Sequence, residues 1–418
     1  MIALADINSF YCSAEQVFRP DWRKRPLIVL SNNDGVVVSA NREAKAIGIE
    51  KFKPFHEVKS LCDQHGVIHL SSNYELYADI SQRIFSTLSQ YTPDHYVYSI
   101  DEIFLDFTKF RKLVDDFNQL GSVIRRRAWK EHRLPICVGF GDTLTLAKVA
   151  NQIAKKNESF NGVCVIDTPR RRKELLSILP VSEVWGVGRK LSAHFRLMGI
   201  SSALDLANKP PALMRKRFNV TVEQIIRELN GEKCKHWDSA RADKQQIFST
   251  RSTGNRITDL ESLRQALVMH TNIASRKARA QKSLCGVMLA FAANSGYDEK
   301  PISFKAIHRF EYPTSDVTHL STVASQLASK LFVEGIRFYK IGIGLLDLSS
   351  SQTQQLDLFN SRPSNPKLMS IYDDLNNKYG NDTVFVASQG IQPKWEMRRQ
   401  FLTPQYTTKW TDIPRIKC

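Results

Sequence analysis

Residues 98–107 read Tyr-Ser-Ile-Asp-Glu-Ile-Phe-Leu-Asp-Phe, so two adjacent carboxylates, Asp101 and Glu102, sit inside an apolar, strand-like run. Neighbouring side chains of a strand point to opposite faces. Two acids in succession therefore fit only at a turn or a strand end. There they either meet solvent as an ordinary surface turn or converge on a hard cation that offsets their repulsion. The N-terminus bears on this choice. Ile2–Ile7 is a short apolar run that predicts a buried strand, and it contains Asp6. Asn8 and Ser9 follow, residues suited to cap a helix beginning near Phe10. A helix N-terminus also attracts phosphate. Asp6, Asp101 and Glu102 then give three carboxylates at strand ends, the set that two-metal phosphoryl transfer requires.

The chain of 418 residues is too long for one core, so two to four domains are expected. Lysine and arginine total 59 against 42 acids, a net charge of +17. That excess suits a polyanion, with nucleic acid ahead of an anionic membrane surface. No apolar run reaches membrane-spanning length, and no basic region precedes the N-terminal apolar stretch, which argues against a signal peptide. Seven cysteines without C-x-x-C spacing point to reduced thiols in a cytosol rather than a zinc site.

Residues 12–74 read as a small inserted module. A strand at 26–30, a turn at Ser31–Gly35 and a returning strand at 36–40 precede a helix at 41–48. Arg42 and Lys45, three apart, share a face of that helix and could hold a triphosphate or simply be solvated. Helical spacing continues over 74–88, a basic amphipathic helix is expected at 113–130, and strand 136–141 leads into helix 144–156 and strand 163–166. This mixture predicts an α+β domain with an antiparallel or mixed sheet and a hairpin around the acids.

Residues 169–236 are mostly helical. Gly186 and Gly188, followed by Arg189 and Lys190, fit a helix-hairpin-helix whose backbone approaches a phosphate, or else a plain helix turn. After a polar linker at 237–246, the order β-α-β-β-α-β over 247–347 predicts a split βαβ domain. Arg251, Lys305, His308, Arg309 and Lys340 on its strands could track a DNA backbone or face solvent. Residues 349–366 are polar and expected to be flexible, apart from the apolar cluster Gln355, Leu356, Leu358 and Phe359, which suits a peptide anchor. Residues 367–418 read as a small helical appendage.

Asp6 with Phe10-Tyr11, the Ser99–Glu102 block, the Gly186/Gly188 hairpin and the Gln355–Phe359 cluster together resemble the Y-family translesion DNA polymerases. Within them they resemble the catalytic subunits of bacterial DNA polymerase V. The resemblance implies an α+β multidomain, right-hand polymerase. Its palm would be 1–11 and 75–168, its fingers 12–74, its helical thumb 169–236 and its split-βαβ little finger 247–348, followed by a tail. It implies Mg²⁺, two ions with Mn²⁺ as a substitute, bound by Asp6, Asp101, Glu102 and the Ile7 carbonyl. Tyr11 becomes the gate that rejects a ribose hydroxyl. Phe10, Arg42, Lys45 and Lys155 bind the nucleotide, and Gln355–Phe359 binds a sliding clamp. Implied partners are primer-template DNA, dNTP, a processed UmuD-like dimer and a RecA-type filament, in the cytoplasm at the nucleoid. Many relatives carry Asp at the position of Asn8 and Tyr at that of Arg42. Two alternatives share the same acids and charge: a two-metal nuclease or nucleotide cyclase, and an inactive DNA-binding scaffold that recruits the clamp.

Overall fold

The N-terminal strand β1 (Ile2–Ile7) is buried at every residue. It lies at the centre of a five-stranded sheet, and such a doubly covered strand reads as a continuous apolar run. The computed structural model describes residues 1–237, 243–352, 364–380, 382–391 and 395–414. It forms two units, Met1–Ala240 with Gln400–Cys418, and Arg241–Arg399.

In the first unit α1 (Phe10–Phe18) follows β1. The inserted module comprises β2 (Leu27–Leu30), β3 (Val37–Ala40), α2 (Arg42–Ala46), α3 (Phe55–Gln64) and β4 (Ile68–Ser71). Its sheet order is β3-β2-β4, with β2 antiparallel to β3 and parallel to β4. Next come α4 (Tyr74–Leu88), β5 (His95–Val97), β6 (Glu102–Asp106), α5 (Phe117–His132), β7 (Ile136–Gly141), α6 (Leu144–Lys156) and β8 (Val163–Val165). The main sheet runs β5-β6-β1-β7-β8, and only the β7/β8 pair is parallel. Strands β5 and β6 form the expected hairpin around the acids. Alternation divides β1 between two cores. Ala3, Ala5 and Ile7 pack with Tyr77, Ile103 and Phe140, while Ile2 and Leu4 pack with Phe104, Leu144 and Ala147.

Two local expectations change. Helix α5 begins at Phe117 rather than 113, because Asp116 caps it by accepting from Asn118 N–H at 2.7 Å. Ser9 precedes α1 but does not cap it through its side chain. Its φ is +45°, and its hydroxyl donates to Ala40 C=O at 2.9 Å, tying α1 to the inserted module.

Helix α6 is the spine of this unit. One side lies on the sheet, and Asn151 Nδ2 donates to Leu4 C=O at 3.1 Å and Cys137 C=O at 2.9 Å. The opposite side joins a helical core through Leu146, Val149 and Ile153. That core is built by α7 (Pro169–Ile178), α8 (Arg189–Leu197), α9 (Ala203–Ala207), α10 (Pro211–Arg217) and α11 (Val220–Leu229). Buried Glu228 fastens α11 to the start of α6. One of its oxygens accepts from Thr145 N–H at 3.0 Å and Thr145 Oγ1 at 2.5 Å, and the other from Lys235 N–H at 2.9 Å. Four donors on one buried carboxylate, counting Cys234 N–H at 3.3 Å, satisfy the requirement that a buried charge be hydrogen-bonded.

The second unit contains β9 (Ile247–Ile257), α12 (Leu260–Ala280), β10 (Ser283–Ala293), β11 (Ser303–Thr314), α13 (Val317–Leu331), β12 (Phe338–Ser350) and α14 (Pro366–Tyr379). The sheet order is β11-β10-β12-β9, all antiparallel, so each βαβ unit is split by a strand of the other. Helices α12 and α13 cover one face over Met288, Ala290 and Ile343. The tail is not an appendage of its own. Helix α14 is held to α12 by Arg279 and Asp373 at 2.6 and 2.7 Å, and Trp395 is buried in the sheet–helix core. From Gln400 onward the chain belongs to the first unit.

Candidate active site

In the β1/β6 register Asp6 stands directly opposite Glu102. Directly opposed residues share a face, with Cβ atoms about 4.5–5.5 Å apart. Asp101 precedes β6, and its carbonyl accepts the Ile7 N–H at 2.9 Å. The carboxylate of Asp101 accepts from Ser99 Oγ at 2.6 Å, and the same hydroxyl lies 3.4 Å from Glu102 Oε2. The three expected acids thus come to one end of the sheet. Ile7 is buried opposite Ile136, so only its backbone is available to a ligand.

Helix α6 runs along the same face. Lys148 Nζ donates to both oxygens of Glu102, at 2.8 and 3.0 Å. Lys155, seven residues on, pairs with Asp6. Lys148 also lies 4.4 Å from the Tyr98 ring centre and 5.1 Å from that of Trp185, so its charge is caged by aromatic faces. Burial pushes Asp6 up to about 7; Lys155 pulls it down, while Glu102 and Asp101 push it further up. Among the described residues no three acid, His or Cys side chains converge as metal ligands, and lysine ammoniums hold two of the acids. The donor set nevertheless fits a hard divalent cation. It offers oxygen ligands only, and its acids repel one another at a buried position where a cation relieves that repulsion.

Tyr11 stands at the first turn of α1. Its ring stacks on Tyr77 at 4.5 Å and 16°, and meets Tyr74 edge-on at 6.1 Å. Burial, with Tyr74 and then Asp101 contributing, raises its hydroxyl above the usual tyrosine value. Phe10 differs from expectation. It is only 3% exposed and belongs to the core, so its ring cannot face a nucleotide.

Arg42 and Lys45 are exposed on α2. Arg42 pairs with Glu158 at the surface, a contact easily exchanged for a phosphate. Burial lowers Lys45, and Lys51 and Lys155 lower it further, which places these ammoniums in one electrostatic neighbourhood. Gly186 adopts φ +92°, a conformation that favours glycine. Gly188 lies in open space, with exposed Arg189 and Lys190 opening α8 after it. A 3₁₀ turn at Val181–Glu183, rather than a full helix, comes before this glycine loop.

On the second unit, Lys305 pairs with Phe291 and Lys340 with Ala293, on the face away from the helices, which Arg309 shares. Arg251 does not join them. It stands opposite fully buried Ile341, on the helix-covered face, and His308 likewise stands opposite buried Met288. Gln355, Leu356, Leu358 and Phe359 lie outside the described residues.

From the sequence no role falls to Lys148, and Ser99 enters only as part of the Ser99–Glu102 block. The signal for Lys148 was present, because a seven-residue spacing from Lys155 places both on one helix face.

Residues 5–152 match the model of the impB/mucB/samB family, residues 244–358 that of the family's C-terminal domain, and residues 366–416 a domain of unknown function. The chain is 40% identical over 423 residues to Protein UmuC of Salmonella typhimurium, and 40% identical over 424 to Protein SamB from the same organism. Both alignments cover all of each chain. It is 27% identical over 395 residues to DNA polymerase IV 2 of Bacillus subtilis, covering 93% of this chain and 94% of the other. Among solved structures, a Y-family DNA polymerase chimera of Dbh and Dpo4 matches with a TM-score of 0.66 at 21% identity, covering 84% of this chain and all of the other. An insertion ternary complex of Dbh DNA polymerase matches at 0.54 and 19%, with the same coverage. The structural matches establish the fold, that of the Y-family polymerases. The full-length identity to UmuC and SamB settles the lineage, and the chain belongs to the impB/mucB/samB family.

Proposed function

We infer that this chain is an error-prone translesion DNA polymerase that adds dNTPs to a primer 3′ end opposite damaged template, in SOS-type mutagenesis. The observation that carries the reading is Asp6 directly opposite Glu102, with Asp101 beside Glu102 on the shared Ser99 hydroxyl. UmuC and DNA polymerase IV relatives support it.

Asp6, Asp101 and Glu102, with the Ile7 backbone, would hold two divalent ions, Mg²⁺ or in its place Mn²⁺. When bound, such ions lower the pKa of an attacking hydroxyl and neutralise a leaving pyrophosphate. The chain's own residues supply the rest. Lys45, Lys155 and Arg42 neutralise the triphosphate, Lys155 exchanging Asp6 for phosphate. Tyr11 closes the space beside the sugar C2′. The loop of Gly186 and Gly188, with Arg189 and Lys190, meets the DNA backbone without reading bases, and Lys305, Arg309 and Lys340 give the second unit a basic open face. We assign residues 1–11 and 75–168 to the palm, 12–74 to the fingers, 169–236 to the thumb and 247–348 to the little finger.

The proposed partners are primer-template DNA, a sliding clamp taken by Gln355–Phe359, a processed UmuD-like dimer and a RecA-type filament, in the cytoplasm. Among the described residues no helix is long and apolar enough to cross a membrane. Deleting residues 355–359 is expected to abolish clamp-stimulated synthesis and leave unstimulated extension unchanged. Equal stimulation without the peptide would remove the clamp assignment.

A primer-template assay with dNTPs and Mg²⁺ tests the whole reading. Extension supports it, degradation would indicate a nuclease, and neither would indicate a scaffold. Within that assay Tyr11→Ala should raise ribonucleotide incorporation relative to deoxynucleotide by on the order of 10²-fold, because a filled contour, not a hydrogen bond, excludes the extra hydroxyl. Unchanged sugar selection would refute the gate.

A further inference from the structure

The segment Gln400–Tyr406 is separated from its contacts by more than 300 residues of chain, yet it makes a continuous set of specific bonds in the first unit. Ser71 N–H donates to Phe401 C=O at 3.0 Å, and Phe401 N–H donates back to Ser71 Oγ at 2.9 Å. Gln400 N–H reaches Asp34 Oδ2 at 2.9 Å. The Phe401 ring meets His69 edge-on at 4.6 Å. Asn73, fully buried at the start of α4, uses its Nδ2 to contact Thr403 Oγ1 at 3.0 Å and the carbonyls of Thr403 and Pro404 at 3.2 Å. Tyr406 stacks on Phe18 of α1 at 4.6 Å and 13°.

The innermost bond is the informative one. Thr403 Oγ1 donates at 3.1 Å to Oε1 of Glu15, which is fully buried on α1. The same oxygen accepts the Tyr77 hydroxyl of α4 at 2.7 Å. Tyr77 in turn stacks on Tyr11, and Glu15 lies one helical turn beyond Tyr11 on the same side of α1. Among the described residues Glu15 Oε2 has no partner, so the two donors on Oε1 are what fix this carboxyl. A chain of three contacts therefore joins the C-terminal segment to the sugar-facing ring.

We propose that the segment Gln400–Tyr406 is a specificity-determining part of this polymerase, and that Thr403 is a positioning residue which, through Glu15 and Tyr77, holds the Tyr11 ring against the nucleotide sugar. The proposal rests on the reading of Tyr11 as the sugar gate. It gives a role to the last part of residues 366–416, whose matching domain has none assigned. Thr403 is itself buried. It acts by removing freedom from α1 and α4 at the point where their rings meet.

The test compares Thr403→Val, Thr403→Ser and Tyr11→Ala in the full chain with its accessory proteins, measuring kcat and KM for a dNTP and the matching rNTP. Thr403→Val keeps the shape of the side chain and removes both the donor to Glu15 and one acceptor of Asn73 Nδ2, which keeps the carbonyls of Thr403 and Pro404. It should lower dNTP-over-rNTP discrimination about tenfold, the scale of one hydrogen bond, through a lower KM for the rNTP. The kcat for the dNTP should change by less than about twofold. Thr403→Ser should restore discrimination. Tyr77→Phe, which keeps the stack and loses the donor to Glu15, should reproduce the Val effect and serves if the Val variant does not fold. An equal fall in dNTP and rNTP incorporation would mean a structural role only and would overturn the proposal. So would unchanged discrimination in Thr403→Val and Tyr77→Phe while Tyr11→Ala relaxes it. If Tyr11→Ala itself leaves sugar selection unchanged, the gate reading fails first and the proposal falls with it.

Discussion

Asp101→Ala should reduce primer extension by about 10³-fold or more while leaving DNA affinity and folding close to wild type. The separation of these effects follows from how Asp101 is held. Its backbone does the structural work, since the Asp101 carbonyl accepts the Ile7 N–H and alanine keeps that bond. Its carboxylate is bound by the Ser99 hydroxyl, which sits at a partly buried turn where water can replace the lost acceptor. Among the described residues no lysine or arginine is paired with Asp101, so the substitution strands no buried cation. Asp6 and Glu102 are less clean targets, because alanine at either leaves Lys155 or Lys148 without its acid. An unpaired charge at such a site costs several kcal/mol. Extension measured on a primed template, with binding followed by anisotropy of a labelled duplex and folding by thermal melting, resolves the three quantities. Substantial extension by a folded, DNA-binding Asp101→Ala chain would remove Asp101 from the chemistry.

The parts of this molecule that were legible in the sequence are those with local causes. β1 is legible because a strand covered on both faces is an apolar run, broken here only by Asp6, and the hairpin around Asp101 and Glu102 because two adjacent acids in such a run require a turn. Helices α4 and α6 were legible at both ends from their periodicity. Three features were not, each for a long-range reason. The return of Gln400–Tyr406 to the first unit carries no periodic pattern, and its partners Asp34, Ser71, Asn73 and Glu15 are polar residues with nothing local to mark them as its contacts. The face on which Arg251 falls depends on strand register, since a one-residue shift exchanges the two sides; pairing with Ile341 turns it toward the helices. Phe10 and Tyr11 are adjacent aromatics, yet one enters the core and the other stays half-buried against Tyr77 and Tyr74, a division set by how α1 is rotated against α4.

The lysine pairs of α6 give the site a second level of order. Lys148 and Lys155 lie on the same side of the helix as Asn151, whose amide is bonded to the backbone of β1 and of β7. The position of the two cations over the acids is therefore fixed by how closely α6 sits on the sheet. That distance is set by a glycine.

Gly139→Ala should cost about 3 kcal/mol or more, lowering the melting temperature of the first unit by about 10 °C. A Cβ at Gly139 would fall 2.1 Å from Asn151 N, 2.5 Å from Ala147 C=O and 2.6 Å from Asn151 Cα. All three are backbone atoms of α6, so no side-chain rotamer can relieve the contact. Either α6 withdraws from β7 by about 1 Å or the Asn151 bonds to Leu4 and Cys137 break, and both outcomes move Lys148 and Lys155 relative to Glu102 and Asp6. Misplacement on that scale is worth about 10²-fold in rate, so the fraction that folds should extend primers correspondingly more slowly. Gly35→Ala is the matched control. Gly35 has φ −84°, and an added Cβ there meets nothing closer than 3.7 Å, so stability and extension should both stay near wild type. A Gly139→Ala chain that melts within about 1 kcal/mol of wild type and extends primers at the wild-type rate would show that the seat of α6 on the sheet does not set the geometry of the acids.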